Sequence, residues 1–130
     1  MQEDSVFTKV IKGAIECHKV YEDERVLAFL DIHPINPGHT LVVPKKQIDH
    51  LWDMDDEDYQ YLWKVSKDLA KHIQTVLDPP RVGVIVEGFG VPHVHIHLIP
   101  LHDGHDIKKH QDLSAEPDHD ALQAIATKLQ

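Results

Sequence analysis

A run of seven residues near position 95 constrains the fold of this chain more than any other feature. His93-Val-His-Ile-His-Leu-Ile99 alternates imidazoles with apolar side chains. In a β-strand, successive side chains point to opposite faces. The three histidines are therefore predicted to share one face of a sheet, while the apolar residues between them face a core. Buried imidazoles without polar partners are costly, so this strand is predicted to carry a site.

Apolar periodicity and turn residues predict the remaining elements. In order, they are a short helix at 5–12, strands at 18–21, 26–32 and 40–43, a long amphipathic helix that begins in the acidic run 53–58 and ends before Asp78, strands at 82–86 and 94–99, and a helix at about 117–129. Short turns between sequential strands favour an α+β fold with an antiparallel five-stranded sheet and helices packed on it. One domain is expected over residues 1–130, with its core at about 5–100.

Composition limits the partners and the location. The formal net charge of −9 argues against a nucleic-acid partner, because such binding needs clustered Lys and Arg. A small anionic substrate remains compatible with it. The chain has one cysteine, Cys17, no apolar run near the length of a membrane span and an acidic start unlike a signal peptide. A cytoplasmic protein that does not bind membranes is expected.

Two kinds of chemistry suit histidines at alternate positions. One imidazole can attack phosphorus while its neighbours donate hydrogen bonds to phosphate oxygens, because neutral histidine is available near pH 7. Alternatively, His-x-His on a strand can bind a metal ion. Purely structural histidines are a third interpretation, which three imidazoles in register make improbable.

The residues around this run resemble the histidine triad (HIT) family. The run fits the family pattern His-φ-His-φ-His-φ-φ, where φ is apolar, and 20–45, Val-Tyr-Glu-Asp-Glu-Arg-Val-Leu-Ala-Phe-Leu-Asp-Ile-His-Pro-Ile-Asn-Pro-Gly-His-Thr-Leu-Val-Val-Pro-Lys, resembles its other long block. The likeness covers roughly residues 5–100, and it is greatest to the small Hint-like and bacterial-type branch. It implies a homodimer whose sheets join, a nucleotide substrate and no cofactor.

The resemblance also implies residue roles. His95 corresponds to the nucleophile, and His97 corresponds to the histidine that contacts the phosphate oxygens and the leaving group. His93 and His39 correspond to the supporting pair. Asp31 matches the acid that binds ribose hydroxyls, and Ile32 matches the residue that packs on the base.

Two departures from the family pattern change what is expected. Many relatives bind zinc through Cys-x-x-Cys, a His after Pro-Lys-Lys and the His of Pro-Gly-His, whereas this chain has Ser5, Thr8 and Gln47 at the first three positions. Ser, Thr and Gln are poor zinc ligands, so no structural zinc is predicted. The loop before the triad, 86–92, is also shorter and lacks a Gln or Ser side chain, so backbone N–H groups of Gly88, Phe89, Gly90 and Val91 are expected to meet the phosphate.

The function expected from the resemblance is cleavage of a phosphoramidate or phosphoanhydride bond at the α-phosphate of a nucleotide, with a purine base favoured, through a nucleotidyl-histidine intermediate. A missing loop glutamine favours phosphoramidates or mixed anhydrides over dinucleoside polyphosphates. Three alternatives stay open: a dinucleoside polyphosphate hydrolase, a catalytically weak nucleotide-binding regulator and a metal-dependent hydrolase.

Overall fold

A computed structural model describes residues 2–130 as one five-stranded antiparallel sheet with helices on both faces. The helices are α1 Val6–Ile11, α2 Asp56–Leu77 and α3 His119–Leu129, with two 3-10 turns at Leu51–Asp53 and Asp106–Lys108. The strands are β1 Lys19–Glu22, β2 Val26–Leu30, β3 Thr40–Pro44, β4 Arg81–Ile85 and β5 Ile96–Leu101. Their spatial order is β1-β2-β3-β5-β4, which places the end of the chain's histidine run beside β3.

The helix starts follow from capping side chains. The Ser5 hydroxyl accepts from the Thr8 N–H and starts α1, while the Asp55 carboxylate accepts from the Asp58 N–H and starts α2. Such N-caps satisfy backbone donors that have no partner inside the helix. The acids in the first turn of α2 also lie at the positive end of the helix dipole. The acidic run is therefore a helix start, as predicted.

The two sheet faces carry two separate cores. The larger core lies under α2 and α3 and includes Leu62, Ile73, Val94, Ile96 and Leu98. Each fully buried side chain of this size contributes about 1.5–3 kcal/mol relative to exposure. The smaller core lies under α1, where Phe7 packs with Leu27, Phe29, Leu41 and Val43. The histidines of the triad lie on this second face, because Phe7 contacts two of their rings.

The α+β class, the five strands and the three helices are confirmed, with shifted boundaries. The last strand was predicted at 94–99 but begins at Ile96. Pro92 precedes the triad, and the Val94 N–H donates to the Ile48 carbonyl (2.7 Å) outside the ladder. His93 and His95 thus precede β5, while the face they share with His97 is kept. Both 3-10 turns were absent from the prediction.

The turn before β3 requires glycine. Gly38 has a φ of 97°, and a Cβ at this position would lie 2.5 Å from Cδ1 of Leu77 and 3.1 Å from Cγ of Pro100. A larger residue would meet both a left-handed backbone and a steric clash. The turn delivers the next residue, His39, into the protein interior. Within residues 2–130, no helix is both long and apolar enough to cross a membrane.

Candidate active site

The structure brings the three alternating histidines together on the α1 side of the sheet. His93, His95 and His97 are 0%, 5% and 8% exposed. The ring centroids of His95 and His97 lie 4.9 Å apart. Phe7 packs edge-to-face on His95 at 4.9 Å and on His93 at 5.9 Å. The site is therefore a group of buried imidazoles held against an aromatic wall.

A main-chain carbonyl oxygen determines which ring nitrogen of His95 carries the hydrogen. Its Nδ1 lies 2.7 Å from the carbonyl oxygen of His93. Because a carbonyl only accepts, Nδ1 carries the hydrogen and donates it. A neutral His95 then keeps a lone pair on Nε2. This is the form of imidazole that can act as a nucleophile.

A second chain of hydrogen bonds fixes the proton of His97. The Ile35 N–H donates to Nδ1 of His39 (3.0 Å), so neutral His39 carries its hydrogen on Nε2. His39 Nε2 then donates to Nδ1 of His97 (2.8 Å). His97 is left with its hydrogen on Nε2. One backbone amide thereby makes His97 a hydrogen-bond donor at its free nitrogen.

Burial keeps these supporting imidazoles neutral. It lowers the pKa of His39 from its ordinary 6.5 to about 4. Burial also lowers the pKa of His97 to about 4, and the neighbouring His39 and His95 add to the effect. The pKa of His93 is lowered mainly by burial as well. At neutral pH, the proton positions derived above for His39 and His97 are therefore those of uncharged rings.

Asp31 lies at the outer end of the His97–His39 chain. Its Oδ2 is 3.6 Å from Nε2 of His39 and accepts a 2.7 Å hydrogen bond from the Gln111 side chain. Its Oδ1 accepts from the His33 N–H (2.9 Å). The neighbouring Ile32 side chain is 41% exposed. Asp31 thus extends the polar network beyond the triad and already has several protein donors, while Ile32 presents a partly exposed apolar side chain beside it.

His93 belongs to a polar cluster at α1. Its Nε2 donates to the Pro44 carbonyl (2.8 Å), which leaves Nδ1 to accept from the Ser5 hydroxyl (2.7 Å). The Thr8 hydroxyl donates to Oε1 of Gln47 (2.5 Å), and the same oxygen accepts from the Ser5 N–H (2.9 Å). We call Ser5, Thr8, Gln47 and His93 the α1 polar cluster.

The α1 polar cluster shows that the expected fourth position of the family zinc site, His39, was wrong. The sequence comparison grouped Ser5, Thr8 and Gln47 with His39, but His39 lies against His97 and Asp31 instead. The histidine that meets the three positions is His93. Hydroxyl and amide groups beside one imidazole do not fit zinc, which prefers thiolate, imidazole and carboxylate ligands.

The shortened loop borders a cavity of about 640 Å³ that reaches His95. Gly88 and Phe89 line this cavity, and Gly88 has a φ of 76° with open space around it. Gly90 also has open space, but Val91 packs against the core of Phe7. Of the residues expected to meet the phosphate, Gly88 and Phe89 therefore line the cavity beside His95, whereas Val91 packs into the smaller core.

Within the described residues 2–130, two sets of side chains have the spacing of a metal site. Donor atoms of Asp31, His39 and His97 lie within 4.8 Å of one another, as do those of Glu87, His95 and His97. In the first set, His39 and His97 are already hydrogen-bonded to each other. A metal ion would have to break the bond that sets the proton of His97.

Sequence reasoning missed three contributors to this site. Phe7 was expected only as part of a helix, and its packing on two histidines could be found only from tertiary contacts. Gln111 reaches Asp31 across 80 positions of sequence, from a polar segment without a motif. Glu87 was not among the predicted site residues, because its proximity to His95 and His97 depends on the path of the shortened loop.

Comparison with known proteins fits this geometry. Residues 12–104 match the HIT domain. An uncharacterized HIT-like protein of Methanocaldococcus jannaschii is 44% identical over 103 residues, which cover 76% of this chain and 80% of that protein. The adenosine 5′-monophosphoramidase hnt1 of Schizosaccharomyces pombe is 38% identical over 99 residues, covering 73% and 72%.

Solved structures agree with the sequence relatives. A Hit-like protein involved in cell-cycle regulation from Bartonella henselae superposes with a TM-score of 0.84 at 31% identity, covering 98% of this chain and 95% of that one. The match to the HIT domain covers most of this chain. The same chain carries the alternating histidines and their buried hydrogen bonds. The chain belongs to the HIT family, the histidine triad proteins.

Proposed function

We propose that this protein hydrolyses a nucleoside 5′-phosphoramidate, with His95 as the nucleophile and an amine as the leaving group. The observation that carries the proposal is the hydrogen bond from Nδ1 of His95 to the His93 carbonyl (2.7 Å). It leaves the Nε2 lone pair of a neutral ring free to attack phosphorus. A purine base is expected from the family resemblance.

The reaction runs in two displacements. Nε2 of His95 forms a bond to the α-phosphorus, the bond from phosphorus to the amine nitrogen breaks, and the departing amine takes one proton from solvent water. A water molecule then attacks phosphorus, the bond from phosphorus to Nε2 of His95 breaks, and the nucleoside monophosphate leaves. His95 regains its lone pair, and the attacking water gives one proton back to solvent. The Nε2–H of His97, set by His39 (2.8 Å), stabilises charge on the phosphate oxygens. The carbonyl of His93 stabilises the positive ring of the intermediate.

Glu87 favours an amine over a polyphosphate as the leaving group. A carboxylate oxygen of Glu87 lies within 4.8 Å of donor nitrogens of His95 and His97. A negative group there repels the additional phosphates of a dinucleoside polyphosphate, whereas a departing amine that becomes an ammonium ion is attracted. The Glu87→Gln variant is expected to increase the ratio of diadenosine tetraphosphate to phosphoramidate turnover. An unchanged ratio would contradict this role for Glu87.

Intact-protein mass spectrometry tests the proposed function. Wild type and His95→Ala are mixed with adenosine 5′-phosphoramidate in the presence of a chelator, and the adenylate adduct and AMP are followed. Wild type should show a transient adduct and AMP, while His95→Ala shows no adduct and loses roughly a thousandfold or more in rate, as for other covalent nucleophiles. His105→Ala, at an exposed histidine in the tail that follows β5 (residues 102–118), serves as the matched control.

The outcomes separate the alternatives. Turnover by His95→Ala at the wild-type rate would end the assignment. Activity that disappears with the chelator would support the metal-dependent hydrolase. Nucleotide binding without turnover of phosphoramidate or diadenosine polyphosphate would support a binding protein of the same fold.

A further inference from the structure

A second cavity, of about 520 Å³, is lined by Ile32, the residue that follows Asp31. Small-molecule sites have volumes of about 300–1,000 Å³. Apolar walls come from Val10, Ile15 and Ile32, and two of these, Ile15 and Ile32, are 39% and 41% exposed. Polar side chains of His18, His119 and Gln123 line it as well. Apolar walls with a polar edge suit a flat heterocycle with hydrogen-bonding groups on its rim.

The polar edge has a defined direction of hydrogen bonding. Oε1 of Gln123 accepts from Nδ1 of His18 (3.0 Å), so a neutral His18 has a lone pair on Nε2. His119 then donates from its Nδ1 to that atom (2.9 Å). The remaining nitrogen of His119, Nε2, is an acceptor. The edge therefore offers an acceptor at the first residue of α3.

The position of this cavity fits the nucleotide that the triad would hold. Asp31 lies 3.6 Å from His39, which donates to His97. Ile32, the next residue, forms a wall of the cavity. A nucleotide with its α-phosphate at His95 and its ribose at Asp31 thus directs its base toward Ile32, and the cavity begins there.

We propose that α3 selects the base of the nucleotide, through an acceptor on His119 that takes a hydrogen bond from an exocyclic amino group. The proposal rests on the phosphoramidase function proposed above and specifies its substrate as a 6-aminopurine nucleotide. Hypoxanthine, which has a carbonyl in place of that amino group, presents an acceptor to an acceptor. Its nucleotide is therefore bound more weakly.

The His18–His119–Gln123 group is not needed to hold α3 on the sheet. Buried Leu122, Ala126 and Leu129 anchor the helix, with exposures of 5%, 0% and 2%. The Gln130 side chain also donates to the Lys19 carbonyl (2.9 Å). Gln130, directly after α3, thus makes a separate polar contact to β1, and it does not line the cavity. Gln130→Ala is therefore a matched control for loss of a helix contact.

Calorimetry with AMP, IMP and ribose 5-phosphate tests the proposal without turnover. Wild type and Gln130→Ala should bind AMP about fivefold more tightly than IMP, the effect of one hydrogen bond. His119→Phe keeps a ring but removes the acceptor, so it should bind AMP and IMP equally and ribose 5-phosphate like wild type. Equal affinity of wild type for AMP and IMP would overturn the proposal, as would preserved preference in His119→Phe.

Alkylation of Cys17 gives an independent test of where the base lies. Cys17 is the only cysteine in the sequence, lines this cavity and is half-buried, and burial raises the pKa of its thiol. At pH 8.5, AMP at saturation should slow its reaction with iodoacetamide, while saturating ribose 5-phosphate should not. Equal rates with both would overturn the location. Protection and base preference without hydrolysis would instead refute only the proposed phosphoramidase reaction.

Discussion

At the scale of single residues, main-chain groups decide which ring nitrogen of each histidine in the candidate site carries a proton. The Ile35 amide acts on His39 and, through it, on His97. His39→Ala should therefore reduce kcat with little change in KM, by about tenfold to a hundredfold on the scale of general acid–base effects. His39→Gln, whose side-chain amide can reach the same nitrogen of His97, should recover part of the loss.

Steady-state kinetics with adenosine 5′-phosphoramidate measures this difference. His105→Ala, in the exposed tail, controls for the loss of a histidine elsewhere. Equal kcat values for His39→Ala and wild type would show that His97 needs no partner to present its hydrogen.

The same burial predicts how stability depends on pH. His39 and His97 have folded-state pKa values of about 4, below the ordinary 6.5. The unfolded chain therefore binds these protons first, so the stabilising contribution is present above pH 6.5 and is lost as the pH falls to about 4. Each histidine adds a slope of up to about 1.4 kcal/mol per pH unit in that window.

Urea unfolding at pH 7.5, 6.0 and 5.0 checks the sign and the source of this effect. The free energy of unfolding should decrease as the pH falls in wild type, and it should decrease less steeply in His39→Gln, which lacks one of the buried histidines. The difference between the two proteins isolates His39 from carboxylates that titrate in both. Parallel curves would contradict the burial argument.

The residues of the triad were predictable because a local pattern encodes them. Alternation along an extended segment places His93, His95 and His97 on one face, even though β5 itself begins only at Ile96. The partner of each ring was not predictable in this way. The assignment of His39 to the Ser5–Thr8 side failed because sequence order does not tell which of two buried histidines faces which helix.

At the scale of elements, the α1 polar cluster joins helix α1, the segment after β3 and the triad. Its distances are close to those of a tetrahedral site: Ser5 Oγ lies 3.3 Å from Thr8 Oγ1, and Nδ1 of His93 lies 2.7 and 3.4 Å from them. Ligands of tetrahedral zinc, at bond lengths of about 2.0–2.3 Å, are roughly 3.5 Å apart. The Nδ1 of His93 already presents a lone pair.

The triple variant Ser5→Cys, Thr8→Cys, Gln47→His should therefore bind one Zn²⁺ per chain with His93 as the fourth ligand. Metal analysis after dialysis measures the stoichiometry, and Co²⁺ substitution should give the absorption of a tetrahedral thiolate site. Wild type and Ser5→Cys are the controls and should retain no metal. A triple variant without stoichiometric zinc would show that the cluster is not arranged as a ligand set.

Helices and strands were predictable where the spacing of apolar residues and the capping residues indicate the same element. The ends of the elements were less predictable. The α2 helix combines apolar residues at helical spacing with the Asp55 cap, so its start and end were close to those predicted. The start of β5 was misplaced because the residues before it bond to Ile48, outside the sheet. A contact between segments 46 positions apart leaves no local pattern.

At the scale of the whole molecule, the sheet ends on one side with β4. In the order β1-β2-β3-β5-β4, Arg81–Ile85 has a single neighbouring strand within residues 2–130. Val84 on this strand is 46% exposed, and Phe89 in the following loop is 93% exposed. Unpaired strand edges with exposed apolar side chains favour pairing with another chain. The opposite edge, β1, has four residues and is joined to α3 by Gln130.

We therefore predict a homodimer in which two copies of β4 pair antiparallel about a twofold axis, as the family resemblance implies. Light scattering after size exclusion should give about twice the chain mass of 14.9 kDa for wild type. Val84→Lys should give the monomer mass, because a lysine on each strand places like charges across the axis. Leu113→Lys, at a residue that is 72% exposed in the tail, is the matched control and should remain dimeric.

A monomeric wild type at micromolar concentration would refute the dimer, whereas a dimeric Val84→Lys would show that the interface does not lie at β4. Since β4 pairs with the strand that carries His97, loss of the dimer is also expected to reduce turnover in Val84→Lys but not in the control.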